Sequence, residues 1–216
     1  MPKLSWKYGK IMSIFQRDEK THKFLSEYST PEIKYLKDNQ WSFQEKIDGK
    51  NIRVKWNGKE VVYAGRSDEA QLELSLVYKL DELFKSYEGI QNLVKVFQLQ
   101  ENEEVVFYGE GCGTKIQKGG ERYNPTGVDF ILFDVLINDI YLEKHNIDDV
   151  AQKLGIKSAP VIGRGTLAEA IEMTKKGFKS QWGDFIAEGI VARPLTELFT
   201  RKGDRIITKI KYKDFR

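Results

Sequence analysis

A single cysteine, Cys112, and only two histidines, His22 and His145, occur among the 216 residues. One thiol cannot close an internal disulfide, and no local Cys/His zinc motif can be assembled from so few ligands. Any metal has to sit on carboxylates, which suits Mg²⁺ or Mn²⁺. No run of 18 or more apolar residues is present, and the opening Met1-Pro2-Lys3-Leu4-Ser5-Trp6 lacks the apolar stretch of a secretory signal. A soluble, cytoplasmic protein with no membrane partner is expected. Net charge is also scarce: +3 is too little to announce a nucleic-acid partner by itself. Repeats, low-complexity tracts and linkers are missing as well.

What is present is an ordinary globular balance, 40% hydrophobic and 31% charged residues, in a length that allows one substantial mixed domain and hence one active site. Residues 1–39 read as a basic lead-in segment packed on the domain, with one helix start where Thr30 can cap and Pro31 fits the first helical position. Alternation predicts strands over Trp41–Asp48, Asn51–Asn57 and Glu60–Arg66, arranged as a meander. Leu72, Leu76, Leu80, Leu83, Phe84, Ile90, Leu93, Val94 and Phe97 recur at helical spacing and predict two helices broken near Gly89. A strand over Val105–Glu110 is expected to run into a glycine-dense mobile loop, and Val128–Ile137 reads as a buried central strand. Helices near Asn146–Leu154 and over Leu167–Lys176, the latter capped by Thr166, lie among strands Ala159–Ile162, Glu188–Arg193 and Arg205–Tyr212. The order implies an α+β fold with antiparallel sheets flanked by helices.

In the strand Ser42-Phe43-Gln44-Glu45-Lys46-Ile47-Asp48, alternation puts Lys46 and Asp48 on one polar face, just before Gly49. A lysine amine is a nucleophile once its pKa, ordinarily about 10.4, is brought down by desolvation or nearby positive charge. Alone, Lys-x-Asp-Gly is also what a plain strand end running into a glycine turn looks like. Its company is more specific: Gly65-Arg66-Ser67, Phe107-Tyr108-Gly109-Glu110-Gly111, Phe130-Ile131-Leu132-Phe133-Asp134, Ala187-Glu188-Gly189-Ile190-Val191 and Ile207-Thr208-Lys209-Ile210-Lys211 follow in that order. Asp134 in so apolar a strand needs a partner or a metal, and Phe133 is expected on the opposite face from it. Between Arg201 and Arg216 seven basic residues stand against two acidic ones, with Lys209, Lys211 and Lys213 on one face of the last strand. By themselves those lysines also fit an edge strand guarded against aggregation.

With these motifs in this order, residues 45–211 resemble the covalent nucleotidyltransferase superfamily of ATP-dependent polynucleotide ligases and capping enzymes, and most of all its small RNA ligases of phage and bacterial type. The resemblance implies an ATP-grasp-like ligase adenylation domain over residues 40–216, with no appended OB-fold or helical domain. It implies that Lys46 becomes adenylylated by ATP, and that Asn51, Arg66, Glu110, Phe133, Glu188, Lys209 and Lys211 bind the nucleotide, Phe133 by stacking on adenine. Asp48, Glu110 and Glu188 are implied around Mg²⁺ or Mn²⁺, while Asp134 receives no role. The two lysines of Lys-x-Lys would contact the α-phosphate and help lower the pKa of Lys46. The expected activity is RNA repair: joining 5′-phosphate and 3′-hydroxyl ends through lysyl-AMP and an adenylylated polynucleotide. Lys115, Lys118 and the basic ends of the chain would hold the RNA backbone. A minimal DNA nick ligase, acting on DNA or RNA/DNA nicks, and a non-catalytic nucleotide- or RNA-binding domain of the same fold are the alternatives. The early ending leaves room for a partner protein that supplies the clamp, and a virus-encoded protein acting in the host cytoplasm fits the resemblance equally.

Overall fold

Thr30 accepts a hydrogen bond from the Ile33 amide and Pro31 opens the short helix that follows, as the capping signal predicts. The computed structural model describes residues 6–216. In chain order the elements are β1 (Met12–Ser13), β2 (Phe15–Arg17), β3 (Phe24–Tyr28), α1 (Pro31–Tyr35), β4 (Trp41–Glu45), β5 (Lys50–Trp56) and β6 (Val61–Ala64). Then come α2 (Leu74–Phe84), α3 (Tyr87–Val96), β7 (Val105–Gly113), β8 (Val128–Ile137), β9 (Ile140–Tyr141) and α4 (Lys144–Leu154). The chain continues through β10 (Lys157–Ser158), β11 (Val161–Gly165), α5 (Leu167–Lys176), β12 (Gly189–Pro194) and β13 (Thr208–Lys211). Two units can be distinguished, one made of Asp48–Ala159 with the segment up to Tyr8, the other of Gly9–Ile47 with Pro160–Arg216.

The first unit is a sheet ordered β10-β8-β7-β5-β6, with β9 beside β8. Ile52, Val54, Trp56, Val105, Phe107, Phe130, Leu132 and Val135 point to one face, where Leu76, Leu80 and Phe84 of α2, Leu93 of α3 and Ile147, Val150 and Leu154 of α4 bury them. The opposite face carries Val106, Tyr108 and Leu136, packed with Trp6, Tyr8, Phe133 and Tyr141. The second unit is a sheet ordered β1-β13-β12-β4-β11. Trp41, Phe43, Ile190, Ala192 and Ile210 form its core with Leu167 and Ala170 of α5, to which Ile14 and Ile33 add. Thr166 and Glu169 complete a reciprocal capping box at the start of α5. Among the described residues no helix is long and apolar enough to cross a membrane.

The α+β class and antiparallel sheets follow the sequence reading, with parallel pairing confined to β1–β13 and β8–β10. Four local expectations are corrected. The strands around Lys46 form no meander: β4 pairs with β11 and β12, whereas β5 pairs with β6 and β7. The glycine after Asp48 serves a backbone crossing, since a Cβ on Gly49 would lie 2.4 Å from the Gly111 carbonyl oxygen. The helix break falls at Lys85–Ser86, where Ser86 caps α3 through the Gly89 amide, and Gly89 sits inside α3 because a Cβ there would meet the Leu83 carbonyl at 2.5 Å. Gly109 to Gly113 belong to β7 and not to a loop, with core side chains lying across them: a Cβ on Gly109 would be 2.3 Å from the Phe130 ring. Finally, the last strand stops at Lys211, and Lys213 lies exposed in a single 3₁₀ turn, off the strand face.

Candidate active site

Lys46 follows directly on β4, and its amide donates to the Gly189 carbonyl at 2.9 Å, which extends the β4–β12 ladder by one bond. That register places Glu188 beside it. The Lys46 ammonium donates to Glu188 Oε2 at 2.8 Å and to the Ile47 carbonyl at 3.2 Å. On β13, Gly189 pairs with Lys211, whose ammonium reaches the other oxygen of Glu188 at 2.6 Å. One carboxylate, its side chain only 10% exposed, therefore bridges two lysines and leaves the trio with one net positive charge. Burial pushes the Glu188 carboxyl up, but Lys46 and Lys211 more than offset it, so its pKa lies below the ordinary value. Lys209 points away from the Ile210 core face like Lys211, and pairs with Val191 and Ser13.

Glu45 is a residue that the sequence reading passed over. It lies on the core side of β4, 1% exposed, and accepts from Ser180 Oγ at 2.5 Å and the Gln181 amide at 2.9 Å. Burial raises its pKa against the opposing pull of those two donors. The available signal was its phase, because Phe43, Glu45 and Ile47 fall in one apolar register where a carboxylate needs donors.

In the first unit Asp48 is held by the glycine-rich segment. Gln117 donates to Asp48 Oδ1 at 2.6 Å, Tyr123 accepts from the Asp48 amide at 3.1 Å, and Arg122 stands 3.7 Å from Oδ2. Gln117 and Tyr123 also went unnoticed in the sequence, where nothing local links them to Asp48. Asn51 and Glu110 face each other across β5 and β7, on the sheet face away from Ile52 and Phe107. Arg66 lies two residues beyond β6, exposed, its guanidinium without hydrogen bond or ion pair among the described residues. Arg53 on β5 is buried instead, donating to the Gly65 carbonyl and to Asp68.

Phe133 and Asp134 were expected on opposite faces of the central strand. They share one instead, because β8 bulges: Tyr108 pairs with Asp134 and Gly109 with Leu132, leaving Phe133 as the extra residue. Both touch Tyr8, Phe133 by its ring and Asp134 by accepting from the Tyr8 hydroxyl at 2.6 Å. That bond satisfies part of the need that burial of Asp134 creates. Asn51, Glu110, Phe133 and Asp134 thus lie on one sheet face, while Lys46, Glu188 and Lys211 are gathered in the other unit. Among the described residues no three His, Cys, Asp or Glu side chains are gathered as a ready metal cage.

A family model described as RNA ligase matches residues 39–212, four fifths of the chain and every candidate residue named above. The chain belongs to the RNA ligase family. Solved structures of Naegleria gruberi RNA ligase are similar throughout. A substituted form with ATP and Mn matches with a TM-score of 0.64 at 20% identity, over 95% of this chain and 60% of that one. The same ligase with PPi gives 0.63 at 22% identity, over 98% and 61%. Another substituted form, with AMP and Mn, gives 0.64 at 18%, over 97% and 61%. This RNA ligase family member therefore spans about 60% of the length of those chains and shares their fold. The nucleotidyltransferase architecture expected from the spaced motifs is the one observed.

Proposed function

We propose that this protein is an ATP-dependent RNA ligase that joins 5′-phosphate and 3′-hydroxyl ends, with Lys46 as the nucleophile. The observation that carries the reading is the bridge from Lys46 through Glu188 to Lys211. A lysine amine held among a carboxylate and a second lysine, with Lys209 on the same strand face, is suited to meet a phosphate that arrives with its own negative charge. Support comes also from the family match and from the fold shared with a ligase solved with ATP, AMP, PPi and Mn.

The chemistry runs in three displacements. The Lys46 ammonium first gives a proton to solvent. The neutral amine attacks the α-phosphorus of ATP, losing its second proton to solvent as the P–N bond forms, the α–β P–O bond breaks and pyrophosphate leaves with the electron pair. Lys211 and Lys209 stabilise the charge on the α-phosphate. The 5′-phosphate of the RNA then attacks the same phosphorus, and Lys46 leaves as the amine. A 3′-hydroxyl finally attacks the activated 5′-phosphate and expels AMP. Asn51, Arg66 and Glu110 are assigned to the nucleotide, Arg66 because an exposed, unengaged guanidinium offers a fork of donors to phosphate. Phe133, half-buried, is assigned to the adenine.

Asp48, Glu110 and Glu188 are the carboxylates proposed around a divalent ion. Asp48 and Glu188 already hold donors of their own, and no cage of three such ligands is gathered among the described residues. Carboxylates of this kind suit Mg²⁺ or Mn²⁺ that keeps most of its waters and takes further oxygens from phosphate. Such an ion, when bound, neutralises charge on the phosphates.

The test is transfer of label from ATP labelled at the α-phosphate to the protein, with Mg²⁺ or Mn²⁺ present. Acid-labile label on the wild type and none on Lys46→Ala is the expected result. An unlabelled wild type, or equal label on the variant, overturns the proposal. Offering pre-adenylylated RNA and DNA nicks in parallel then decides between RNA ligation and DNA nick sealing.

A further inference from the structure

Phe133 has no register partner on β7. The pairing of β7 and β8 steps from Asp134 to Leu132, so Phe133 faces no partner residue across it. A bulged residue forgoes the cross-strand neighbour that ordinarily fixes a strand side chain. Its ring is seated by a residue 125 positions earlier in sequence. Tyr8 packs edge-on against it, ring centroids 5.2 Å apart and planes at 74°. Tyr8 is itself fixed at both ends: its ring lies 4.9 Å from that of Tyr108, and its hydroxyl donates to Asp134 at 2.6 Å. Asp134 is fully buried, so this bond lies in surroundings of low dielectric, where an unmet partner would be costly. Trp6 extends the same strap, its ring 4.2 Å from the Arg53 guanidinium. Phe133 nevertheless remains only half-buried, so part of the residue stays accessible.

We propose that Tyr8 is a positioning residue for nucleotide binding, backing Phe133 and, through Asp134, fixing the bulge so that the ring is pre-set to stack on adenine. The proposal rests on the ligase reading above. Stacking onto a side chain that must first be ordered loses part of its gain to conformational entropy, and a ring already wedged by Tyr8 avoids that loss. The Tyr8–Asp134 bond also accounts for a buried carboxylate to which the sequence motifs assign no role.

The experiment measures the rate of lysyl-AMP formation against ATP concentration in the full chain. Label on the wild-type protein establishes the ligase reading independently of Tyr8. Tyr8→Ala is then expected to raise the half-saturating ATP concentration by about five- to tenfold, the range of an aromatic pair, while the rate at saturating ATP stays close to wild type. Tyr8→Phe, which keeps the ring and loses the hydroxyl, is expected to show a smaller rise. In Phe133→Ala the further change of Tyr8→Ala should add nothing to ATP affinity, because the ring it positions is gone. An unchanged ATP dependence in Tyr8→Ala, or fully additive effects with Phe133→Ala, overturns the proposal. If Tyr8→Ala does not fold, Tyr8→Leu carries the same cycle, and thermal melting of each variant identifies loss of fold.

Discussion

Glu188 serves two lysines at once, and its ionisation should be visible in stability. Its pKa in the folded chain is lowered, because the attraction of Lys46 and Lys211 outweighs burial. A carboxyl with a lowered native pKa stabilises the fold at pH values above its unfolded pKa, about 4.3, and loses that contribution as the pH falls through the native value. Melting temperatures of wild type and Glu188→Gln should therefore converge on acidification from pH 7 toward pH 3. A gap that stays constant over that window would show that the bridge adds no pH-dependent stability. In the second unit Lys46, Glu188 and Lys211, which the resemblance named together, are joined by ion pairs. Reading from sequence worked least well where a partner comes from far along the chain without a motif of its own, as with Gln117 on Asp48, Ser180 on Glu45 and Tyr8 on Asp134.

At the scale of elements, β1, β2 and β3 in the lead-in and the two-residue strands β9 and β10 were missed. The strands of the two sheets from β4 to β8 and from β11 to β13, and helices α2 to α5, were legible because each signal is written within a dozen residues. Pairing is not written there. β4 and β5 are separated by only four residues and read as neighbours, yet they belong to different sheets. Likewise the bulge at Phe133 has no local signature, since a one-residue insertion leaves an apolar run looking continuous. The glycines of β7 were misread for a related reason. Density of glycine suggests a loop, whereas here the absent side chains of Gly109 and Gly111 make room for Phe130 and Leu76, and that of Gly113 for the backbone of Gly127 and Val128. Gly109→Ala, with its Cβ falling 2.3 Å from Phe130 and 2.8 Å from the Ile131 carbonyl, is expected to cost about 1–3 kcal/mol through overpacking, measured by denaturant unfolding. Cost below that range would mean that Phe130 can swing aside.

For the molecule as a whole, net charge is small and its excess is local. Lys115 and Lys118 are exposed on the segment that holds Asp48, with no ion pair among the described residues, and Lys115 sits in left-handed backbone at φ 65°. Under the ligase reading such lysines lie against the RNA backbone. Replacing both with alanine is expected to reduce the slope of log affinity against log salt by about one to two, with lysyl-AMP formation kept. Binding titrations with RNA at several salt concentrations read this directly, and an unchanged slope would remove these lysines from the RNA-binding surface.

Lys46, the proposed nucleophile, and the carboxylate that engages it stand 142 positions apart. While the chain is being synthesised, the Lys-x-Asp-Gly segment emerges long before Glu188 or Lys211, so an unfinished chain displays the motif without the charges that surround its lysine. Under the ligase reading, competence to take up AMP is then a property of late synthesis, acquired only after β12 has been laid beside β4 and β13 beside β12. On that reading a stalled or prematurely ended product carries the signature and stays inert.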